Sequence, residues 1–285
     1  MTTTTAERDA GVLAGPLGLR LTPQAVAPGG LVMSRRMLEG ARVDGGAHVL
    51  ALAPGFSPTT NRVLTTWPRS WTGVDPLPAA AAHARRAVAP ARPSPIGILE
   101  RIVHGVDPAP ADIARVVEAP LDATGLDEEA VTAAYGEGVL SACASDEIVA
   151  ILTEVARVLR PGGRCAFHEL TLAYDATPQT LGSLASVGLR PLTVDAWREA
   201  CHAAGLVPYG ETRGPVVDGS TADEVANLGM GATLTRVKAL ARDREAASLA
   251  RSASAAIRDE ANRLDAIVVL AERPLIAGLR APAAG

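Results

Sequence analysis

Ala47-His48-Val49-Leu50-Ala51-Leu52-Ala53-Pro54-Gly55, running on into Phe56-Ser57-Pro58-Thr59-Thr60, is the stretch that decides the fold. Apart from His48 the first seven residues are all small or aliphatic. A short apolar run of this kind fits a strand buried on both faces, as strands of a parallel sheet are. Pro54-Gly55 then makes a tight turn leading into a helix, which is the junction of a β-α unit.

Working outward, the same alternation recurs. A second strand is expected over Trp71 to Asp75, followed by a helix over Ala79 to Val88. Further strands are expected over Ile113 to Glu118, Val131 to Tyr135 and Arg164 to Leu170. Between the last two, Ile148, Ile151, Leu152, Val155 and Leu159 recur at helical spacing, and Pro161-Gly162-Gly163 closes that helix. Thr193 is a suitable N-cap for a helix that contains Trp197 and Cys201 and stops at Gly205. Leu206 to Tyr209 and Ile267 to Ala271 supply the last two strands. The fold class read from this order is α/β, a doubly wound, mostly parallel, seven-stranded Rossmann-like sheet. Residues 28–276 form one domain between a flexible start (1–27) and a flexible tail (277–285). Within it lie a Pro-rich insertion (89–111) and a C-terminal helical lid (221–262), jointed at Gly229 and Gly231.

Composition narrows the function. Apolar residues make up 48% of the chain and aromatics only 3%, so the core is built mainly from Ala, Val, Leu and Ile. The formal net charge is -4 and Lys and Arg form no dense run, which argues against nucleic acid or an anionic membrane as partner. No apolar run approaches the ~20 residues of a membrane span. Cys143, Cys165 and Cys201 show no CxxC spacing and no neighbouring His, so they read as reduced thiols of a cytoplasmic protein with no metal site. A small-molecule ligand is the expected partner; whether the chain is a monomer or a homodimer stays open.

In an open α/β sheet, ligands bind beyond the carboxyl ends of the strands. Gly55 stands there after the first strand, where a missing side chain lets a backbone approach a ligand closely. Asp75 stands after the second, where a carboxylate can accept from both ribose hydroxyls or simply cap the next helix. With these positions in order, the sequence resembles the class I S-adenosylmethionine-dependent methyltransferases, over about residues 28 to 272. Val49 to Gly55 looks like that family's cofactor loop, and Thr72-Gly73-Val74-Asp75 its ribose acid. Asp122-Ala123-Thr124-Gly125-Leu126 resembles its adenine segment and Tyr135-Gly136-Glu137 the end of its fourth strand. Leu159-Arg160-Pro161-Gly162-Gly163-Arg164 resembles its entry to strand five. The resemblance implies methyl transfer from S-adenosylmethionine, leaving S-adenosylhomocysteine, to an oxygen, nitrogen or carbon of a small molecule. It also implies cofactor contacts at Ala53, Pro54, Gly55, Asp75, Pro76, Asp122, Ala123 and Tyr135.

Two departures stand out. The family has an acid where this chain has Ala51, and a GxGxG loop where it has Ala53, Gly55 and Ser57. If Ala51 marks only a shifted contact, the methionine ammonium needs another acceptor. That acceptor would be a backbone carbonyl near Ala51 to Ala53 or the Glu137 side chain, with Ser57, Thr59 and Thr60 serving the carboxylate. On this reasoning Ala51→Asp should leave binding unchanged or tighten it. The alternative is a methyltransferase fold repurposed for a non-methylating reaction or a non-enzymatic role. Catalytic candidates are His168 and Glu169, at the carboxyl end of strand five, and Glu137. Neighbouring strand residues face opposite ways, so only one of His168 and Glu169 can face the acceptor.

Overall fold

The structure, a computed structural model, describes residues 27–55, 57, 59–88, 113–217, 234, 237, 238 and 241–275. Helix α1 (Gly30–Gly40) opens it, followed by β1 (His48–Leu52), α2 (Thr59–Thr65), β2 (Ser70–Val74) and α3 (Pro78–Val88). After β3 (Ala114–Val117) and β4 (Val131–Glu137), a 3-10 turn (Leu140–Ala142) leads to α4 (Ser145–Val158) and β5 (Leu159–Leu172). Then come α5 (Pro178–Ser186), α6 (Val194–Ala203), β6 (Val207–Pro215), α7 (Arg244–Asp259) and β7 (Leu264–Glu272).

The seven strands lie in the order β3-β2-β1-β4-β5-β7-β6. β1 to β5 are mutually parallel; α2 follows β1, α3 follows β2 and α4 lies between β4 and β5, whereas residues 118–130 join β3 to β4 without a helix. The sheet is nonetheless mixed: β7 runs antiparallel to both β5 and β6. β1 is the apolar centre, with Val49, Leu50, Ala51 and Leu52 all buried, which is why the run from Ala47 lacks the alternation of a half-exposed strand. Val49 and Ala51 face a layer with Met33, Met37 and Leu38 of α1 and Val63 of α2. Leu50 and Leu52 face the opposite layer, with Ile148, Leu152 and Val155 of α4 and Trp197 of α6.

Helix α4 stops one residue earlier than its pattern predicts. Leu159 is already extended, with φ −70° and ψ 139°. The left-handed turn falls at Gly162, φ +76°, whose N–H donates to Arg273 O at 2.8 Å. Thr193 caps α6 as expected, its Oγ1 accepting from the Ala196 N–H at 3.2 Å.

Of the expected lid (221–262), residues 221–233, 235, 236, 239 and 240 lie outside the described residues, and the Pro-rich segment 89–111 lies wholly outside them. Helix α7, within that span, lays Ala253, Ala256 and Ile257 against Leu184, Val187 and Leu189, in a third cluster with Leu170 and Leu264. That packed face anchors α7 to α5 and to the sheet. Among the described residues no helix is long and apolar enough to cross a membrane.

Candidate functional site

The carboxyl ends of β1, β2, β4 and β5 converge where the ligand is expected. At the end of β1, Ala53 takes φ +44°, a left-handed conformation that costs an L-residue with a Cβ about 1–2 kcal/mol and glycine almost nothing. The chain therefore keeps the backbone shape of a glycine loop without the first glycine. Gly55 N–H donates to Asp75 Oδ2 at 3.1 Å, and Leu77 N–H to Asp75 Oδ1 at 3.0 Å. Asp75 is fully buried, so one carboxylate both pins the β1 turn and shapes the turn into α3. Pro76, beside it, is exposed.

Position 51 is closed. Ala51 pairs with Gly73 on β2 and with Tyr135 on β4, and all three are buried. The Trp71 indole Nε1–H donates to the Tyr135 hydroxyl at 3.2 Å, so two aromatic side chains from the strands flanking β1 meet across it. Gly73 makes this possible: a Cβ there would stand 2.5 Å from Trp71 Cη2 and 2.7 Å from Pro54 Cγ. The space an acidic side chain at 51 would need is taken. Tyr135 thus belongs to the core of the α1 face, where burial raises its phenol pKa.

Two residues further along β4, on the same face, lies Glu137. Its Oε2 accepts from Ser57 Oγ at 2.8 Å and Thr59 Oγ1 at 2.6 Å. Its Oε1 accepts from Ser34 Oγ of α1 and from His168 Nδ1, the latter at 3.1 Å. Burial alone would raise this carboxyl, but the donors His168, Ser34 and Thr59 outweigh it and hold the pKa below the ordinary carboxylate range. Glu137 is therefore a buried anion with all its acceptor sites engaged. His168 receives the Gly29 N–H on Nε2 at 2.8 Å, which fixes the Nδ1–H tautomer that points at Glu137. Both ring nitrogens are occupied, and the imidazole joins α1 to β4 rather than reaching open space. Thr60 Oγ1, buried close by, has no hydrogen-bond partner.

Glu169 faces the other side of the sheet. Val139, Leu140 and Ser141 N–H donate to it at 3.0, 3.0 and 2.9 Å, and Ser141 Oγ at 2.7 Å. Burial raises its pKa against the pull of these donors. The structure thus separates the three acid–base candidates: His168 and Glu137 form one unit, while Glu169 clamps the 3-10 turn after β4.

Asp122 and Ala123 are exposed in the turn after β3. Their loop is held from beneath by Glu154 of α4, whose Oε1 accepts from Thr124 N and Oγ1 at 3.0 and 2.5 Å. Arg157 braces Glu154 from Nε at 2.7 Å and reaches Leu126 O from Nη2 at 2.6 Å. The cysteines take no part, and burial pushes the Cys143 and Cys201 thiols up to about 12.

Sequence reasoning missed α1 and with it Ser34 and Gly29. The signal was present, since Gly30, Met33, Ser34, Met37 and Leu38 make one buried helical stripe. Arg35, Arg36 and the preceding Pro28-Gly29 obscured it.

A family model described as a methyltransferase domain matches residues 50–167, the span from β1 through most of β5. No curated protein is significantly similar to the chain. Among solved structures, the [4+2]-cyclase SpnF is 17% identical, with TM-score 0.60 over 86% of this chain and 81% of that one. Geranyl diphosphate C-methyltransferase from Streptomyces coelicolor A3(2), solved with Mg2+, geranyl diphosphate and S-adenosyl-L-homocysteine, is 14% identical, with TM-score 0.56 over 85% and 77%. A geranyl diphosphate methyltransferase in complex with SAM is 15% identical, with TM-score 0.52 over 85% and 84%. At these identities the likeness is one of fold.

Proposed function

We propose, because residues 50–167 match a methyltransferase-domain model and the chain shares its fold with methyltransferases of known structure, that the protein is an enzyme that transfers the methyl group of S-adenosylmethionine to a small-molecule acceptor. The observation that carries this reading is Asp75, a carboxylate at the end of β2 bonded to the backbone of the loop after β1. The acid thereby ties the turn after β1 to the start of α3 at the carboxyl ends of the strands, the place where an open α/β sheet binds its ligand.

The residues fit such a cofactor. Each carboxylate oxygen of Asp75 holds one backbone N–H, which fixes the acid at the carboxyl end of β2, beside the turn where a ribose would lie. Ala53, Pro54 and Gly55 form the floor, and Asp122 and Ala123 the exposed rim that Glu154 and Arg157 position. The bound cofactor supplies an electrophilic methyl on sulfonium sulfur. What the chain contributes is positioning and exclusion of water, since in-line transfer depends on donor and acceptor being held together. His168 and Glu169, with no free acceptor atoms facing a ligand, serve this site by holding Glu137 and the turn after β4.

Calorimetric titration with S-adenosylhomocysteine tests the reading. We expect saturable binding that Asp75→Asn weakens about tenfold, the scale of one hydrogen bond to a charged group. A parent protein that binds no S-adenosylhomocysteine would overturn it.

A second reading keeps the fold and drops methyl transfer, and the closed space over Ala51 is what favours it: the chain lacks the β1 acid of its family, and a cyclase is among its structural neighbours. Turnover with a methyl-labelled donor separates the two. Label in product supports the first, and product formed without label transfer supports the second.

A further inference from the structure

We propose that Glu137 replaces, from the end of β4, the carboxylate that the family carries on β1, and that it receives the ammonium group of the cofactor's methionine end. This rests on the cofactor reading above and assigns the part of the site that reading leaves open.

Three features of the structure converge on it. The usual place is closed, because Trp71 and Tyr135 meet across β1 and Gly73 has no side chain to keep them apart. An acid at 51 would have no room and no donor. Besides Asp75, which takes the Gly55 N–H, the chain holds a second buried carboxylate against the loop after β1. Glu137 lies one strand over from Ala51 and two residues beyond its pairing partner Tyr135, and it is bonded directly to Ser57 and Thr59 of that loop. A carboxylate kept ionised inside a protein costs several kcal/mol unless it is paired, and here only hydroxyls and one imidazole pair it.

The nature of those partners is the third feature. On the α1 side the support is fixed: Ser34 is buried within α1, its single hydroxyl proton on Glu137 and its Oγ 3.2 Å from Gly30 O, and the Gly29 N–H orients His168. On the loop side the donors are two hydroxyls, and Ser57 is only half-buried. A hydroxyl can rotate and exchange donation for acceptance. An arriving ammonium can therefore take the place of Ser57 or Thr59 on Oε2. The displaced hydroxyl then donates to the neighbouring α-carboxylate. The exchange conserves hydrogen bonds and replaces a neutral donor with a cation, which strengthens the bond to the anion. His168 is a positioning residue in this arrangement, holding the orientation of Oε1.

The test compares two ligands that share the nucleoside and differ in the amino-acid end: S-adenosylhomocysteine and 5′-methylthioadenosine. In calorimetric titrations, Glu137→Gln should weaken S-adenosylhomocysteine at least tenfold and leave 5′-methylthioadenosine within twofold. Ser34→Ala removes one supporting donor without touching the ligand, and should weaken the first about threefold and the second not at all. If circular dichroism shows Glu137→Gln to be unfolded, the Ser34→Ala pair decides. Equal losses on both ligands, or no loss on either, overturn the assignment while the cofactor reading stands. A parent protein that binds neither ligand overturns both.

Discussion

Gly73→Ala tests the aromatic bridge over β1 most directly. Gly73 has no positive φ, so the backbone accepts alanine without strain and any penalty comes from crowding. The new Cβ would sit 2.5 Å from Trp71 Cη2, 3.0 Å from Trp71 Cζ3 and 2.7 Å from Pro54 Cγ. Both neighbours are rigid rings, and Trp71 is wholly buried, so neither can swing into solvent. Overpacking of this kind costs about 1–3 kcal/mol. If the indole shifts to escape, its Nε1–H and the Tyr135 hydroxyl lose each other in the core, adding about 1–3 kcal/mol for the unmet group. The expected loss is therefore about 2–5 kcal/mol, or about 5–15 °C in Tm for a domain of this size. Urea unfolding followed by circular dichroism measures it, with an unchanged m-value if the native state stays compact. In a Trp71→Leu background the indole contacts are gone, and at least half the penalty should vanish. A penalty below about 0.5 kcal/mol in the parent, or an equal penalty in both backgrounds, would refute this account of position 51.

Two further outcomes follow. Ala51→Asp, for which sequence reasoning expected unchanged or tighter cofactor binding, should destabilise the fold by about 3 kcal/mol or more, because it buries an unpaired carboxylate under Trp71 and Tyr135. An unchanged urea midpoint with tighter S-adenosylhomocysteine binding would show that the bridge opens freely. For Glu154, burial raises the carboxyl but the hydrogen bonds from Arg157 and Thr124 prevail, so its pKa is held below the ordinary value. A depressed folded-state pKa contributes stability that is fully present above the unfolded carboxylate pKa and lost as pH falls through the folded one. The Tm gap between parent and Glu154→Gln should thus be widest near neutrality and shrink from about pH 5 downward; a gap independent of pH would sink the argument.

The strands of the parallel core were legible because strands buried on both faces announce themselves as unbroken apolar runs, as Val49 to Leu52 do. The antiparallel placement of β7 was not, since Ile267 to Ala271 looks the same whichever way it runs. Of the site, Asp75 and Gly55 could be read from their position after a strand, as could the presence of acid at Glu137. What the sequence hid were relations across long separations: Ser34 with Glu137, Gly29 with His168, Trp71 with Tyr135. No local pattern encodes a hydrogen bond between residues 103 or 139 positions apart. The opposite faces of His168 and Glu169 did follow from strand alternation. Which of them meets the α1 side needed the sheet.

The place of β7 also sets the order in which a ribosome can deliver this fold. β6 leaves the exit tunnel before β7, yet it has no pairing with β5 and reaches the sheet only through β7, the last described element. Helix α1, synthesised before every strand, packs on β5 and β7 together, and Gly29 and Gly40 come up against Ala266 and Leu270 of that last strand. β1 to β5 can pair as they emerge, but β6 must wait with an unpaired edge and α1 cannot complete its seat until β7 is out. A nascent chain arrested before residue 264 should therefore hold a protease-resistant parallel core while the segment around Val207–Pro215 and the Gly30–Gly40 helix remain open to cleavage. A helix made before the sheet and the strand that completes it close the site together, only once β7 has emerged.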